Sequence, residues 1–183
     1  MLLNSLKKYI FIKSLNEKLE KNIKKLSNVK IIFNSNNFDK TSIEECSKIK
    51  KFCSKNNISL YIIDNYKVAL KINANGIFLS NTNKRVLLNE FQKKKFHILG
   101  SAHNQLEYYF KKLQHCRTIA LSPLFLNPKY SKNQILGPTR FNLISRDWKM
   151  ELCALGGIAK NNINKIRIIK VKSIAFLRFA EEL

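Results

Sequence analysis

The sequence predicts an α/β fold, a single compact (β/α)8 TIM-type barrel with a truncated or missing last helix. Three observations predict it. Short apolar runs alternate with longer amphipathic stretches; the runs recur about every twenty residues, the minimum for a strand, a helix and two turns; and no Pro-, Gly- or Ser-rich linker divides the 183 residues. The chain therefore reads as one domain over residues 1–183. An open doubly wound sheet is the alternative architecture.

Taken in order, the apolar run Tyr9–Lys13 is the first strand, and Asn16–Leu26 follows with helical spacing. Val29–Asn34 is the second strand. Ser42–Asn56 is the second helix, with a hydroxyl cap in Thr41-Ser42 and acids Glu44 and Glu45 in its first turn. Ser59–Ile63 and Gly76–Leu79 are the third and fourth strands, joined by a helix at Tyr66–Ile72. Lys84–Lys94 leads to a fifth strand, His97–Ser101, and Asn104 caps a helix running to His115. Thr118–Leu121, Met150–Leu155 and Ser173–Leu177 complete eight strands, with helices at Arg140–Ile144 and Asn161–Ile168. Six residues follow Leu177, too few for an eighth helix, so residues 2–8 or a partner subunit are expected to cover that gap.

Composition narrows the function classes. Lys plus Arg number 34 and Asp plus Glu 12, for a net charge of +22. Of those cations 28 are Lys and 6 Arg, and Lys, Asn and Ile together make 72 residues. These three amino acids use A/T-rich codons, so codon bias accounts for much of the charge. Arg, the residue suited to two-point phosphate pairing, is scarce, and the Lys clusters are short. RNA binding is therefore the weakest of the readings. No apolar run reaches the ~18–20 residues that span a bilayer, and the N-terminus lacks the order of a signal peptide, so a cytoplasmic location without membrane association is expected. Cys46, Cys53, Cys116 and Cys153 form no CxxC pair. Cys46 and Cys53, seven apart, share a helix face and read as core; neither disulfides nor a zinc site are expected.

In a barrel, function lies at the C-terminal ends of the strands. The residues there are Asp64 and Asn65, then Ser80, Asn81 and Asn83, then Ser101 and His103, the long segment 122–138, the pair Gly156-Gly157, and Arg178. The rim is polar and mildly basic, as an anion site requires. Gly156-Gly157 sits between a strand and a helix, where free N–H groups and the helix dipole favour phosphate. Asp64 reads as a metal ligand or as the cap of the third helix, and His103 as a solvated or capping histidine. Lys129 and Lys132 lie in a Pro-flanked loop long enough to act as a lid. Arg178 at the mouth calls for an anion if buried.

The segment from Leu60 to Leu79 resembles the thiamine phosphate synthase family, which includes the TenI-like thiazole tautomerases. Ile62-Ile63-Asp64, Ala69-Leu70 and Ala74-Asn75-Gly76-Ile77-Phe78-Leu79 align without a gap with the family's Ile-Asn-Asp, Ala-Leu and Ala-Asp-Gly-Val-His-Leu. Leu99-Gly100-Ser101-Ala102-His103, Ser122-Pro123-Leu124-Phe125 and Ala154-Leu155-Gly156-Gly157-Ile158 resemble three further family motifs in the family's order. The match covers roughly residues 58–178; residues 1–57 agree only as strand–helix–strand–helix.

The resemblance implies a synthase of thiamine biosynthesis that joins a pyrimidine pyrophosphate to a thiazole phosphate and releases pyrophosphate, with Mg²⁺ as cofactor. Its partners are small phosphorylated pyrimidine and thiazole ligands, and a homo-oligomer is compatible. By the same resemblance Asp64 is a metal ligand, with Asn83 at the second metal carboxylate. Ser101 is catalytic and substrate-binding, and Lys129, Lys132, Gly156 and Gly157 bind phosphate; Arg178 stands where the family has a phosphate-binding Ser, and its place at the mouth makes it a further phosphate ligand. The match also shows losses. The family's Gln-x-Arg-x-Lys falls near Ile32–Asn36, where no cation stands, its His after the fourth strand is Phe78, and the tautomerase His falls at Pro123. A catalytically degenerate, phosphate-binding or regulatory homologue is therefore the alternative to a working synthase.

Overall fold

The computed structural model describes residues 5–35, 39–86, 96–128 and 130–177. Eight parallel strands close into a barrel in sequence order, and β1 pairs with β8 to complete the ring. They are β1 (Lys7–Ile12), β2 (Val29–Phe33), β3 (Ser59–Ile63), β4 (Gly76–Leu79), β5 (His97–Ala102), β6 (Thr118–Leu121), β7 (Glu151–Leu155) and β8 (Ser173–Phe176). All eight expected strands are present, three with the expected ends and the others shifted by at most two residues. The open sheet is excluded by the β1–β8 pairing, in which Lys7 lies beside Ser173 and Ile10 beside Phe176.

Alternation along each strand divides the core in two. Tyr9, Ile32, Tyr61, Phe78, Leu99, Ala120, Cys153 and Ala175 point inward and fill the barrel. Their neighbours Ile10, Ile31, Leu60, Ile77, Ile119, Ala154 and Ile174 point outward under the helices. Inside, Tyr9 meets Tyr61 edge-on at 5.6 Å, and Tyr61 meets the His97 ring at 5.6 Å. Gly76 makes room for this stack: a Cβ there would lie 2.6 Å from the Tyr61 ring and collide with the His97 carbonyl.

The helices around the barrel are α1 (Glu17–Lys24), α2 (Lys40–Lys55), α3 (Tyr66–Lys71), α4 (Gln105–Leu113) and α5 (Gly137–Ser145). Asn16, Asn65 and Asn104 cap α1, α3 and α4 through their side-chain oxygens. The cap of α2 is Asp39, which accepts from Ser42 N, and not Thr41. The expected acid Glu45 instead accepts from Leu15 N at 2.8 Å, tying α2 to the loop after β1. Cys46 and Cys53 are both buried on α2, as their spacing requires. The expected helix over Asn161–Ile168 is a 3₁₀ helix at Ile163–Ile168. The expected helix Lys84–Lys94 falls largely outside the described residues, as do positions 178–183 and the question of a last helix. No helix among the described residues is long and apolar enough to cross a membrane.

The N-terminal end of the barrel is polar. Lys7 pairs with Glu151 at 3.1 Å, Lys30 Nζ reaches Ser59 Oγ at 3.4 Å, and His97 Nε2 lies 3.2 Å from Thr118 Oγ1. His97 Nδ1 is buried with no hydrogen-bond partner among the described residues. Burial, reinforced by Lys30, Lys7 and Arg117, lowers its pKa to about 4.

Two outcomes follow from this packing. Gly76→Ala will destabilise the fold by about 3 kcal/mol in urea unfolding, because neither the His97 carbonyl nor the Tyr61 ring can retreat. His97 is held neutral, so its contribution is intact above its ordinary pKa of 6.5 and declines as the pH falls toward 4, where the folded ring begins to charge. Over that window the wild type will lose more stability than His97→Gln, by up to about 3 kcal/mol in urea midpoints taken at both ends.

Candidate functional site

Strand polarity brings the loops after β3, β4, β5, β6 and β7 to one mouth of the barrel. A cavity of about 420 Å³ opens there. Its floor is apolar, made by Phe11, Ile63, Phe78 and Leu155. Phe11 and Phe78 meet edge-on at 5.1 Å. Its polar wall is Ser101, His103, Ser122, Tyr130 and the pair Gly156-Gly157.

Ser101 lies on β5 with its side chain turned inward, beside Ala120 of β6. Two residues further along the same face, His103 enters the cavity. Its Nδ1 lies 2.7 Å from the Ser122 carbonyl and 3.1 Å from Ser122 Oγ. A carbonyl can only accept, so Nδ1 carries a proton, and in the neutral ring the lone pair is on Nε2. The Tyr130 ring stands 5.9 Å from the imidazole. Glu107 Oε2 accepts from His103 N at 2.8 Å and fixes the strand end. His103 is thus a wall of the cavity, beyond the capping role its sequence position suggested. Ser122 and Tyr130 fall in the expected rim segment 122–138, where the sequence singles out Lys129 and Lys132 instead. Two-residue alternation from Ala120 places Ser122 inward, which is the signal that could have found it.

Gly156 and Gly157 have φ of +95° and +68°, a region that favours glycine. A Cβ on Gly157 would collide with the Phe125 carbonyl. The turn is stitched to the loop after β6: Leu124 N donates to Leu155 O and Phe125 N to Gly156 O, each at 2.9 Å. Asn162 closes it from the other side, accepting from Ala159 N at 2.9 Å and donating to Gly157 O at 2.7 Å. The following 3₁₀ helix is short, so the helix-dipole contribution expected for phosphate is small. What the turn offers an anion is its own backbone N–H groups.

Asp64 and Asn83 meet at the edge of the mouth. Asp64 has φ +50° and is exposed. Its Oδ1 accepts from Ser80 N at 2.9 Å and from Asn83 Nδ2 at 2.8 Å. It does not cap α3; Asn65 does. Asn83 Oδ1 accepts from Arg85 N at 3.1 Å. Among the described residues no group of three or more His, Cys, Asp or Glu side chains is placed to hold a metal. Beneath the corner lies Lys111, a fully buried lysine whose pKa burial lowers from the ordinary 10.5.

Of the other expected phosphate ligands, Lys132 begins a 3₁₀ helix, is exposed, and does not line the cavity. Lys129 and Arg178 lie outside the described residues. A second cavity of about 620 Å³ adjoins the first, sharing Phe11, Asn34 and Leu177 with it, and is bordered by Lys13, Lys18 and Asn16. Sequence reasoning passed over these lysines because nothing local separates them from the other 26.

The family model described as thiamine monophosphate synthase matches residues 8–179. A thiamine-phosphate synthase of Prochlorococcus marinus is 28% identical over 142 residues, which are 76% of this chain and 40% of that protein. One of Staphylococcus haemolyticus is 30% identical over 121 residues, 63% of this chain and 56% of that protein. The chain thus spans about two fifths to just over half the length of these relatives. Among solved structures, thiamine phosphate pyrophosphorylase from Pyrococcus furiosus superposes with a TM-score of 0.76 at 18% identity, covering 97% of this chain and 88% of that one. An aldolase from Escherichia coli superposes with a TM-score of 0.72 at 12% identity, covering 97% and 77%. At these identities both superpositions speak to the fold alone.

Gly157→Ala tests the turn. It combines a strained φ with a collision against backbone, so it will cost about 3 kcal/mol of stability in thermal or urea unfolding, more than Gly137→Ala, where a Cβ meets nothing within 4 Å.

Proposed function

The chain belongs to the thiamine monophosphate synthase family, and from that premise we propose that its barrel mouth joins a pyrimidine pyrophosphate to a thiazole phosphate and releases pyrophosphate. The observation that carries the reading is the 420 Å³ cavity, apolar below and lined by paired glycines, two serines and a histidine at the C-terminal ends of the strands. Such a cavity suits a flat heteroaromatic ring with a phosphate at its rim.

In this reading the bond from the pyrimidine methylene carbon to the pyrophosphate oxygen breaks, and its electron pair leaves with pyrophosphate. The thiazole nitrogen lone pair then forms the new carbon–nitrogen bond. The cation between these steps needs a dry pocket with electron-rich walls. Phe78 and Tyr130 supply aromatic faces, and Phe11, Ile63 and Leu155 exclude water. Ser101 and Ser122 bring hydroxyls to the ring edge, and His103 Nε2 presents a lone pair to a ring amino group. Backbone N–H groups of the Gly156-Gly157 turn receive the thiazole phosphate. Lys13 and Lys18, beside the adjoining cavity, are the cations we assign to the departing pyrophosphate, in place of those missing after β2.

The neutral Asn83 at the second carboxylate position favours a second reading, a homologue that binds the same ligands without turnover. Pyrophosphate release from purified protein, both substrates present, decides between them. Release requiring both substrates is expected, and the paired variant Lys13→Ala with Lys18→Ala will raise KM for the pyrimidine pyrophosphate about tenfold with little change for the thiazole phosphate. Ligand-induced thermal stabilisation without release would establish the binding homologue; neither release nor stabilisation would remove both readings.

A further inference from the structure

Among the described residues, the Asp64 corner lacks the set of anionic and free carbonyl oxygens a divalent cation needs. Two facing carboxylates repel, and a metal between them satisfies both. Here the facing group is the Asn83 carboxamide, and its orientation is fixed from both ends: Nδ2 donates to Asp64 Oδ1 at 2.8 Å, while Oδ1 accepts from Arg85 N at 3.1 Å. The amide hydrogen therefore points where a bridging metal would stand, and the amide oxygen is turned away. Ser80 N takes a second share of the same carboxylate oxygen at 2.9 Å.

The backbone oxygens nearby are engaged as well. Lys111 Nζ reaches Ser80 O at 2.6 Å, Asn83 O at 2.8 Å and Gln114 Oε1 at 2.9 Å. Gln114 Nε2 donates to Asn83 O at 2.9 Å and to Arg85 O at 2.8 Å. Two side chains from the end of α4 thus take up the carbonyls of residues 80, 83 and 85. The ammonium itself is a unit positive charge under the corner, electrostatically coupled to Asp64. Mg²⁺ demands near-octahedral oxygen ligands at about 2.0–2.1 Å. Among the described residues what remains at the corner is one carboxylate oxygen of Asp64 and the neutral hydroxyls of Ser80 and Thr82, 3.0 Å apart and bonded to each other, and a cation bound there would sit above a buried like charge.

We infer that this corner holds no divalent cation, and that the Asn83 carboxamide and the Lys111 ammonium together take the structural place of one. Lys111 is a positioning residue in this account: it holds the segment that carries Asn83, and its charge balances Asp64. If the chain turns over, the inference adds that its pyrophosphate release survives a chelator.

The test uses Mn²⁺ alone as the probe, read by water-proton relaxation on the purified full chain, so its outcome does not depend on turnover. Wild type is expected to show no site tighter than about 1 mM, the weak end for carboxylate-poor oxygen sites. Asn83→Asp will create a site, and Asp64→Ala in that background will remove it. Lys111→Met added to Asn83→Asp will tighten the site about tenfold by removing the opposing charge; a lysine that only shaped the loop would loosen it instead. Submillimolar Mn²⁺ binding by wild type that Asp64→Ala abolishes would overturn the inference, as would failure of folded Asn83→Asp to gain a site. These two arms stand even if the Lys111 variant does not fold.

Discussion

Closure of the barrel between β1 and β8 is the constraint on which the rest of the molecule depends. Once Lys7 to Ile10 pair with Ser173 to Phe176, no strand edge remains open, all eight strands run in one direction, and their C-terminal ends share a single mouth. Closure also fixes which side chains must fit inside. A ring of this size is filled by side chains alone, so Tyr9, Tyr61 and Phe78 are accommodated only because Gly76, Ala120 and Ala175 are small. The cavity exists because that filling stops one layer short of the mouth, where Ser101, Ser122 and Gly156 take over from bulkier residues.

The chain uses Asn where other proteins use Gly or a hydroxyl. It has 22 Asn and 5 Gly. Asn28, Asn57 and Asn73 take φ of +56°, +55° and +51° at turns, a conformation Asn tolerates because its short amide bonds locally. Asn16, Asn65 and Asn104 cap three helices. Three of the five Gly stand where a Cβ would crowd its surroundings: Gly76 against Tyr61, Gly100 against Lys111 and Cys116, Gly157 against Phe125. A composition skewed toward Lys, Asn and Ile can therefore still close this fold, because each function of the missing residue types has a substitute within reach.

The same substitution reaches the site. On the resemblance, Asn83 stands at a carboxylate position and Ile32–Asn36, which holds no cation, at a basic one, so this chain carries less charge of both signs there than the family pattern. Lys111 shows how the remaining imbalance is absorbed. A buried ammonium is costly unless its three donors are met, and here three oxygens meet them within 2.9 Å. The corner is rigid for a reason internal to the chain.

The eight strands and the position of the mouth were legible in the sequence, because a short continuous apolar run is a local signal; which residues turn inward was not, because both faces of each strand are apolar. The places of Ser101 and of the Gly156-Gly157 turn at that mouth were legible too, since both follow directly from where their strands end. The face of α4 was not legible. Its apolar residues Leu106, Tyr109 and Leu113 are exposed, while Lys111 and Gln114, charged and polar, are buried. Helical periodicity assigns lysine to solvent, and only contact with carbonyls about thirty residues earlier in the chain reverses that. The role of His103 was decided in the same way, by Ser122 at the end of the neighbouring strand. A strand's apolar run is written into its own residues; the burial of a charge depends on acceptors that distant segments bring to it, and those exist only once the barrel has closed.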